Sequence, residues 1–540
     1  MDDAVFWADQ LADGIREERG DRQVYVFNSG MSVSGRMHIG NLRGELVIPS
    51  RVRHILEQDG ADVDFRGVYY TQDRFKAKDA QLEQFDDPTA AERYEGWRLI
   101  DVPDPQGCHD NWVDHFNAAN QPFLSRFGIE VDPLTTTEFY HMEAAQDVVE
   151  LFLNNRERVR DVMNEFRERH PYPEDWIPFD PLCTECNRID TTTALEVDLE
   201  EWRARYECEA CGAAGWSDMA EGKLAWRLEW AALWEVLDVD FEPYGKDHAT
   251  PGGSRDSCVA LAEEFGINYP TGFSFNWVYL KDGEEVKEMT SSGDVGITAE
   301  EYLEFASAEV LAFLYLSNRP MTEIYFSPAE MPTHYRRFDR AERVYFGEED
   351  VDDEKRAMNL RRAYELAVQD LPEEQPVRVP FDHAAFVAQT VPPAAWEQEG
   401  VATLQETGHI PQDISDDDIE QVLQRLEHAR AWAASYAPDE YVYRFNESVP
   451  PGIVEQLSRD QVAAMHDLAA LLRGAEYSGS EELEDDLFDL ARESDVDVGD
   501  FFAAAYLCLL SREDGPRLAD FILTRGQDEV LNVLETLDEP

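Results

Sequence analysis

The stretch that most constrains this chain runs from Ser29 to Asn41, S-G-M-S-V-S-G-R-M-H-I-G-N. It follows the apolar run Val24-Tyr25-Val26-Phe27 and leads into a helix-like segment that Gly60 ends, with Pro49 expected to kink or reset its first half. A buried strand, a loop of small residues and a helix start make a nucleotide site, because free backbone N–H groups and the helix dipole favour phosphate. Gly30, Ser32, Ser34 and Gly35 form the loop, and His38, Gly40 and Asn41 sit where the chain enters the helix. Gly40 lets an adenine approach the backbone, while His38 is placed to donate to oxygens whose charge grows as an α-phosphate is attacked. The pattern predicts nucleotidyl transfer; on these residues alone, an ordinary strand-turn-helix with a chance H-I-G is the other reading.

Further along, Val63 to Tyr70 reads as a second strand, parallel to the first across the helix. Residues 143–169 read as a charged helix pair or one bent helix. Cys183-x-x-Cys186, 21 intervening residues and Cys208-x-x-Cys211 make two knuckles able to bring four thiolates round zinc. With all four ligands cysteine no coordination position stays open, so such a metal is structural. Cys108 beside His109 has no second local pair, and packing or backbone positioning is the expectation there. Phe273 to Leu280 alternates as a strand, Lys281-Asp282-Gly283 is the expected hairpin turn, and Thr298-x-x-Glu301 is a capping box. The proline-punctuated 372–400 is expected to connect domains; after it only helical patterns recur, near 415–436, 458–473, 481–494, 498–511 and 515–537.

His38-Ile39-Gly40-Asn41 resembles the HIGH signature of class I aminoacyl-tRNA synthetases, and the preceding S-G-M-S-V-S-G is similar to the lead-in of the class I lysyl-tRNA synthetases. Asp101-Val-Pro-Asp-Pro-Gln-Gly-Cys108, Trp226-Arg-Leu-Glu-Trp230, Gly245-Lys-Asp-His248 and Gly515-Pro-Arg-Leu518 resemble further stretches of that family, in family order. The resemblance implies a Rossmann-like α/β catalytic domain with a zinc-binding insertion and an all-α C-terminal domain that binds the anticodon. Its expected divisions are 1–85, an insertion over 86–222 with zinc at 180–215, the second Rossmann half at 223–285, a signature loop and junction at 286–345, and the helical domain at 346–540. It implies ATP with Mg²⁺, L-lysine and tRNA(Lys) as substrates. A tryptophan face with a carboxylate suits an ammonium group, so Trp226, Trp230 and Glu229, with Asp73 behind, are the expected lysine contacts beside Gly30 and Ser32. Helical spacing fits Trp226 and Trp230 equally well as core. Asp247 is expected to accept from ribose or the substrate amine, with His248 beside the nucleotide.

Two departures from the family pattern matter. Only Asp73 keeps a carboxylate before Arg74, where related enzymes carry an acidic cluster. Glu285-Val-Lys-Glu-Met-Thr-Ser-Ser-Gly-Asp294 is similar to the KMSKS signature, yet in register with Met289 it puts Glu288 where the first lysine stands. A return strand shifted by one residue would turn Lys287 to the phosphates, with Thr290, Ser291 and Ser292 as further donors. The rivals are another class I ligase such as a glutamyl enzyme, whose pocket should show arginines, and a non-catalytic regulator that binds lysine or tRNA.

The formal charge is -66, with 113 acidic residues spread along the chain and seven lysines among 47 basic ones. Such acidity ordinarily repels nucleic acid, but dispersed carboxylates with scarce lysine suggest a high-salt cytoplasm, where repulsion is screened. No run of eighteen apolar residues and no basic leader occur, so a cytoplasmic protein off the membrane is the expectation. A monomer is expected as well, although the sequence does not fix the oligomeric state. Thermal unfolding should become easier as KCl falls from molar to ~0.1 M, because the Debye length grows from about 3 to about 10 Å. A midpoint that stays flat or rises on dilution contradicts the high-salt reading.

Overall fold

In a computed structural model, residues 6–291, 295–477 and 479–537 are described. They form two compact units, the first from residues 1–301, 311–326 and 352–369, the second from 302–310, 327–351 and 370–540. No helix among the described residues is long and apolar enough to cross a membrane.

The first unit is built on a parallel sheet. Strand β1, Val24–Met31, pairs in parallel with β2, Asp62–Tyr69, and β2 with β3, Asp132–Thr135. On the other edge of β1, Phe27 bridges Phe241 and Phe241 bridges Thr271, both parallel. Further along the same two segments, Tyr244–Gly245 pairs in parallel with Ser274–Phe275. The spatial order β3-β2-β1-Phe241-Thr271 is that of a doubly wound nucleotide-binding fold, with its switch point between β1 and the Phe241 segment. Tyr25, Phe27, Val63, Phe65 and Val68 are buried, as strands covered on both faces require.

The helix after β1 has three pieces: Ile39–Leu42, a π-helical turn over Arg43–Val47, and Ile48–Gln58. The reset expected at Pro49 takes this form, because proline has no N–H to give Glu45 and its ring crowds that carbonyl. The wider turn brings Gly44 onto Phe275, whose ring a Cβ would overlap at 2.2 Å. Arg43, fully buried, fixes the turn: its guanidinium donates to the carbonyls of Asn276 at 3.0 Å, Thr322 at 2.7 Å and Arg319 at 2.9 Å.

Between β3 and the Phe241 segment lie a helix pair, Glu143–Asn154 and Arg156–Glu165, and an antiparallel sheet of Thr192–Asp198, Arg203–Cys208 and Ala214–Asp218. The strand expected over 273–280 is divided. Asn276 Oδ1 accepts from the Trp277 N–H at 2.8 Å, a local bond that breaks the ladder. The hairpin proper pairs Val278–Asp282 with Glu285–Glu288, so Lys281 and Asp282 lie in the strand and the turn falls on Gly283, φ +57°, and Glu284.

The second unit is mainly helical. The segment 372–400, expected as a connector, contains the helix Phe381–Thr390, whose Phe381, Ala384, Ala385, Phe386 and Val387 are all buried. Prolines at 380 and 392 bound a core helix rather than marking a linker. The last expected helix is broken at Gly526, φ +97°, into Leu518–Arg525 and Gln527–Leu534. Arg425 pairs with Asp339 through both guanidinium nitrogens at 2.9 and 2.8 Å, a buried bidentate link between two of its helices.

Candidate active site

A cavity of about 530 Å³ opens at the carboxyl ends of the parallel strands, at the switch point. Gly30 and Ser32 at the end of β1 and Tyr70 and Asp73 after β2 form one side. Gly245, Asp247 and His248 form the other, and the helix Trp226–Val236 supplies Trp226, Glu229 and Trp230. A Cβ on Gly30 would lie 2.9 Å from the Tyr70 ring, so glycine is what lets that tyrosine close over the strand end. Trp226 and Trp230 stack with centroids 5.7 Å apart, and the His248 ring sits 5.5 and 5.3 Å from them. Trp226 is 44% exposed while Trp230 is 5% exposed, so the first is cavity wall and the second is both wall and core.

The two signatures meet across 250 residues of sequence. Asn41 Oδ1 accepts from the His38 backbone N–H at 3.2 Å and from Ser291 Oγ at 3.2 Å. His38 forms an antiparallel bridge with Thr298, and the Ile39 N–H donates to the Ile297 carbonyl at 2.9 Å. A Cβ on Gly40 would meet His38 Nδ1 at 2.9 Å and Met289 Sδ at 3.6 Å. Burial pushes the His38 imidazole down to about 4, so it is neutral at pH 7, and its buried Nδ1 has no hydrogen-bond partner among the described residues. Thr290 bridges Val295 beside it; Ser292 lies outside the described residues. The lead-in loop with Ser34 and Gly35 is held by two side chains, Trp112 Nε1 donating to the Val33 carbonyl and Gln81 Nε2 to the Ser34 carbonyl, each at 2.8 Å. Lys287 does not join this group: it lies on the exposed strand Glu285–Glu288, its Nζ 3.1 Å from Glu285 Oε1.

The charges of the cavity are arranged round a lysine of the protein. Lys223 Nζ lies 2.5 Å from Asp73 Oδ1 and 2.9 Å from Glu229 Oε2. The Tyr140 hydroxyl donates to Glu229 Oε1 at 2.9 Å and accepts from the Leu224 N–H at 2.8 Å. Both carboxylates expected to face a substrate ammonium are therefore engaged already. Glu242, also buried, accepts from Asn28 Nδ2 at 2.8 Å, from Trp230 Nε1 at 3.1 Å and from Trp234 Nε1. Glu45 differs. It projects from the π-helical turn into the cavity, and no cation among the described residues pairs with it. Burial, and then the neighbouring Asp247 carboxylate, push its carboxyl up to about 8.

A family model for class I tRNA synthetases (K) matches residues 5–370, well over half of the chain. The chain belongs to the class I tRNA synthetases. It is similar over nearly its whole length to proteins named lysine–tRNA ligase. Identity is 39% over 523 residues with that of Aeropyrum pernix, covering 96% of this chain and 95% of the relative. It is 33% over 543 residues with that of Pyrococcus horikoshii, covering 98% and 99%. It is 34% over 551 residues with that of Natronomonas pharaonis, covering 98% and 97%.

The synthetase also carries two clusters able to hold a metal. Cys183 and Cys211 Sγ atoms lie 3.6 Å apart and Cys186 and Cys208 3.7 Å, with all four sulfurs within 4.8 Å of one another. Four sulfurs at ~2.3 Å from zinc form a tetrahedron with edges of ~3.8 Å, so the cage fits, whereas a disulfide needs ~2.05 Å. Each knuckle closes alike: the Asn187 N–H donates to the Cys183 carbonyl and the Gly212 N–H to the Cys208 carbonyl, both at 2.9 Å, with Asn187 and Gly212 at φ +58° and +74°. The second cluster surrounds Cys108, and the backbone positioning expected there is present: Asp104 accepts from the backbone N–H groups of Gln106, Gly107 and His109. The exposed Cys108 Sγ lies 3.2 Å from Asp104 Oδ2, 3.1 Å from His109 Nδ1 and 3.3 Å from His115 Nδ1, so the same loop also brings together four groups able to hold a metal.

Sequence reasoning missed Lys223, Glu45, Tyr140 and Glu242. For Lys223 a signal existed, one of seven lysines standing in the apolar context Lys-Leu-Ala-Trp. For Glu45 there was none, since nothing in its neighbours announces a π turn. Lys223→Met would leave Glu229 buried without its cation, and should lower unfolding stability by about 3 to 5 kcal/mol. Denaturant titration at molar KCl checks this; a midpoint within error of the parent would mean that Glu229 is not held by this pair.

Proposed function

We infer that the protein is a lysine–tRNA ligase, which uses ATP to form lysyl-adenylate and passes the lysyl group to tRNA(Lys). The observation that carries this reading is Glu45, a cavity carboxyl starved of a cation beside an aromatic wall. A lysine side chain brings the missing charge: its ammonium ion-pairs with Glu45 while its stem lies along Trp226 and Trp230. A glutamyl substrate would need arginine, and no arginine lines the cavity among the described residues.

ATP enters as its Mg²⁺ complex. The substrate carboxylate attacks the α-phosphorus, the bond to the bridging oxygen breaks, and pyrophosphate leaves with the electron pair. Neutral His38 donates to an α-phosphate oxygen, Gly40 leaves room for adenine, and Asn41 holds Ser291 of the second signature beside it. Asp247 accepts from the substrate amine or ribose. The terminal ribose hydroxyl of the tRNA then attacks the lysyl carbonyl and AMP departs. Catalysis is mainly positioning and charge stabilisation. The second unit, helical and carrying Gly515-Pro-Arg-Leu518, reads the anticodon, and the protein works as a cytoplasmic monomer.

Cys183, Cys186, Cys208 and Cys211 hold a structural zinc, and Asp104, Cys108, His109 and His115 hold a second metal ion. Purified protein should contain about two metal ions per chain; Cys208→Ser should lose one and His115→Ala the other, measured by elemental analysis after dialysis. A folded, active chain free of both ions counts against this assignment.

Pyrophosphate exchange run with each of the twenty amino acids and tRNA at saturation should respond to lysine alone; exchange with glutamate, or with none, contradicts the reading. Glu45→Gln should raise the KM for lysine at least about 30-fold, the equivalent of about 2 kcal/mol. A KM within about threefold of the parent would place the ammonium elsewhere.

A further inference from the structure

The altered second signature lacks the lysine expected before Met289, where Glu288 stands. Pyrophosphate gathers negative charge as it leaves, and class I geometry asks for a positive group opposite it. Glu288 stands in the expected position and Lys287 is turned to Glu285 on an exposed strand. The remaining lysines are spoken for, with one exception. Lys223 is buried against Asp73 and Glu229, and Lys246 donates to the Tyr279 hydroxyl at 2.9 Å. Lys78, Lys281 and Lys355 each have an interaction partner. Lys76 has none among the described residues, although the chain carries 113 carboxylates, and it lines the active-site cavity.

Its backbone is held on both sides. Phe75, fully buried, donates its N–H to the Trp97 carbonyl at 2.7 Å and accepts from the Gly96 N–H at 2.9 Å. The Phe75 ring packs 5.1 Å from that of Trp112, the residue whose indole fixes the Val33 carbonyl. On the other side Ala77 takes φ +47°, an unfavourable conformation for a residue with a Cβ, and Gln81 then reaches back to the Ser34 carbonyl. The run Phe75–Gln81 is thus tied at both ends to the loop that leads into His38. A lysine with no carboxylate to neutralise it, on a strained and anchored turn beside the nucleotide loop, is placed to meet an anion.

We propose that Lys76 supplies the cation missing from the second signature, binding the β- and γ-phosphates of ATP and stabilising the departing pyrophosphate. This rests on the ligase reading above. The chemistry is unchanged: the lysine carboxylate oxygen bonds to the α-phosphorus, the bond to the β-phosphate bridging oxygen breaks, and its electron pair leaves on pyrophosphate facing the Lys76 ammonium.

The test compares Lys76→Ala, Lys76→Arg and Lys287→Ala in lysine-dependent pyrophosphate exchange at molar KCl, with tRNA at saturation. Lys76→Ala should lower kcat by about 100-fold while the KM for lysine stays within about twofold. Lys76→Arg should recover most of the rate and Lys287→Ala should stay within about threefold of the parent. Calorimetric titration with pyrophosphate gives a readout that needs no turnover: Lys76→Ala should weaken it about tenfold and leave lysine binding intact, which also shows that the variant is folded. Undiminished pyrophosphate affinity in Lys76→Ala, or a rate loss that falls on Lys287→Ala instead, overturns the proposal. A parent protein that binds pyrophosphate through Lys76 but exchanges none with lysine would fault the ligase reading and leave the Lys76 assignment standing.

Discussion

The buried ammonium of Lys223 is the interaction on which the substrate cavity depends. It lies between Asp73, from the loop after β2, and Glu229, from the helix Trp226–Val236, and Tyr140 completes the carboxylate's hydrogen bonding. Two carboxylates facing one cavity without that cation would repel each other and draw protons. With it, the helix that carries Trp226 and Trp230 is fixed against the sheet, and the aromatic wall takes its place. Glu45 lines the same cavity with no cation paired to it among the described residues, and it is there that we propose the substrate's ammonium binds.

The nucleotide side is organised by backbone geometry more than by charge. The π turn before Pro49 aims Glu45 into the cavity, seats Gly44 on Phe275, and lets Arg43 gather three carbonyls from chain more than 230 residues away. Those carbonyls belong to the segments flanking the hairpin that precedes the second signature. The first signature is therefore tied to the second twice, through Arg43 beneath it and through Asn41 and Ser291 at its mouth. An off-pattern second signature still arrives in the right place because the framework, and not its lysines, positions it.

Much of this was legible in the sequence because it is local. A strand, a glycine-rich loop and His38-Ile39-Gly40-Asn41 fold where they stand, and two Cys-x-x-Cys knuckles with Asn187 and Gly212 after them close on themselves. What could not be read depends on partners far along the chain. Lys223 and Asp73 are 150 residues apart, and neither reports the other. Lys287 looked available as a cation, yet strand geometry puts it on the same face as Glu285, two residues back, and that carboxylate takes it. The prolines round 372–400 looked like punctuation, but Phe381, Ala384, Ala385 and Ala388 between them recur at i, i+3, i+4 and i+7 and fill a core. In the Asp104 to His115 stretch the ligand atoms converge only once the loop and the following helix are folded together.

Whether a protonated Glu45 meets the substrate's ammonium is read by counting protons when lysine binds. Burial and the Asp247 carboxylate push the Glu45 carboxyl up to about 8, so at pH 7 it is mostly neutral. An arriving lysinium lowers that value and expels the proton, so affinity for lysine should rise with pH up to about 8. Calorimetry at pH 7 in buffers of different ionisation enthalpy should show release approaching one proton per lysine bound, and none from Glu45→Gln. Binding without proton release, or release undiminished in Glu45→Gln, would contradict the account.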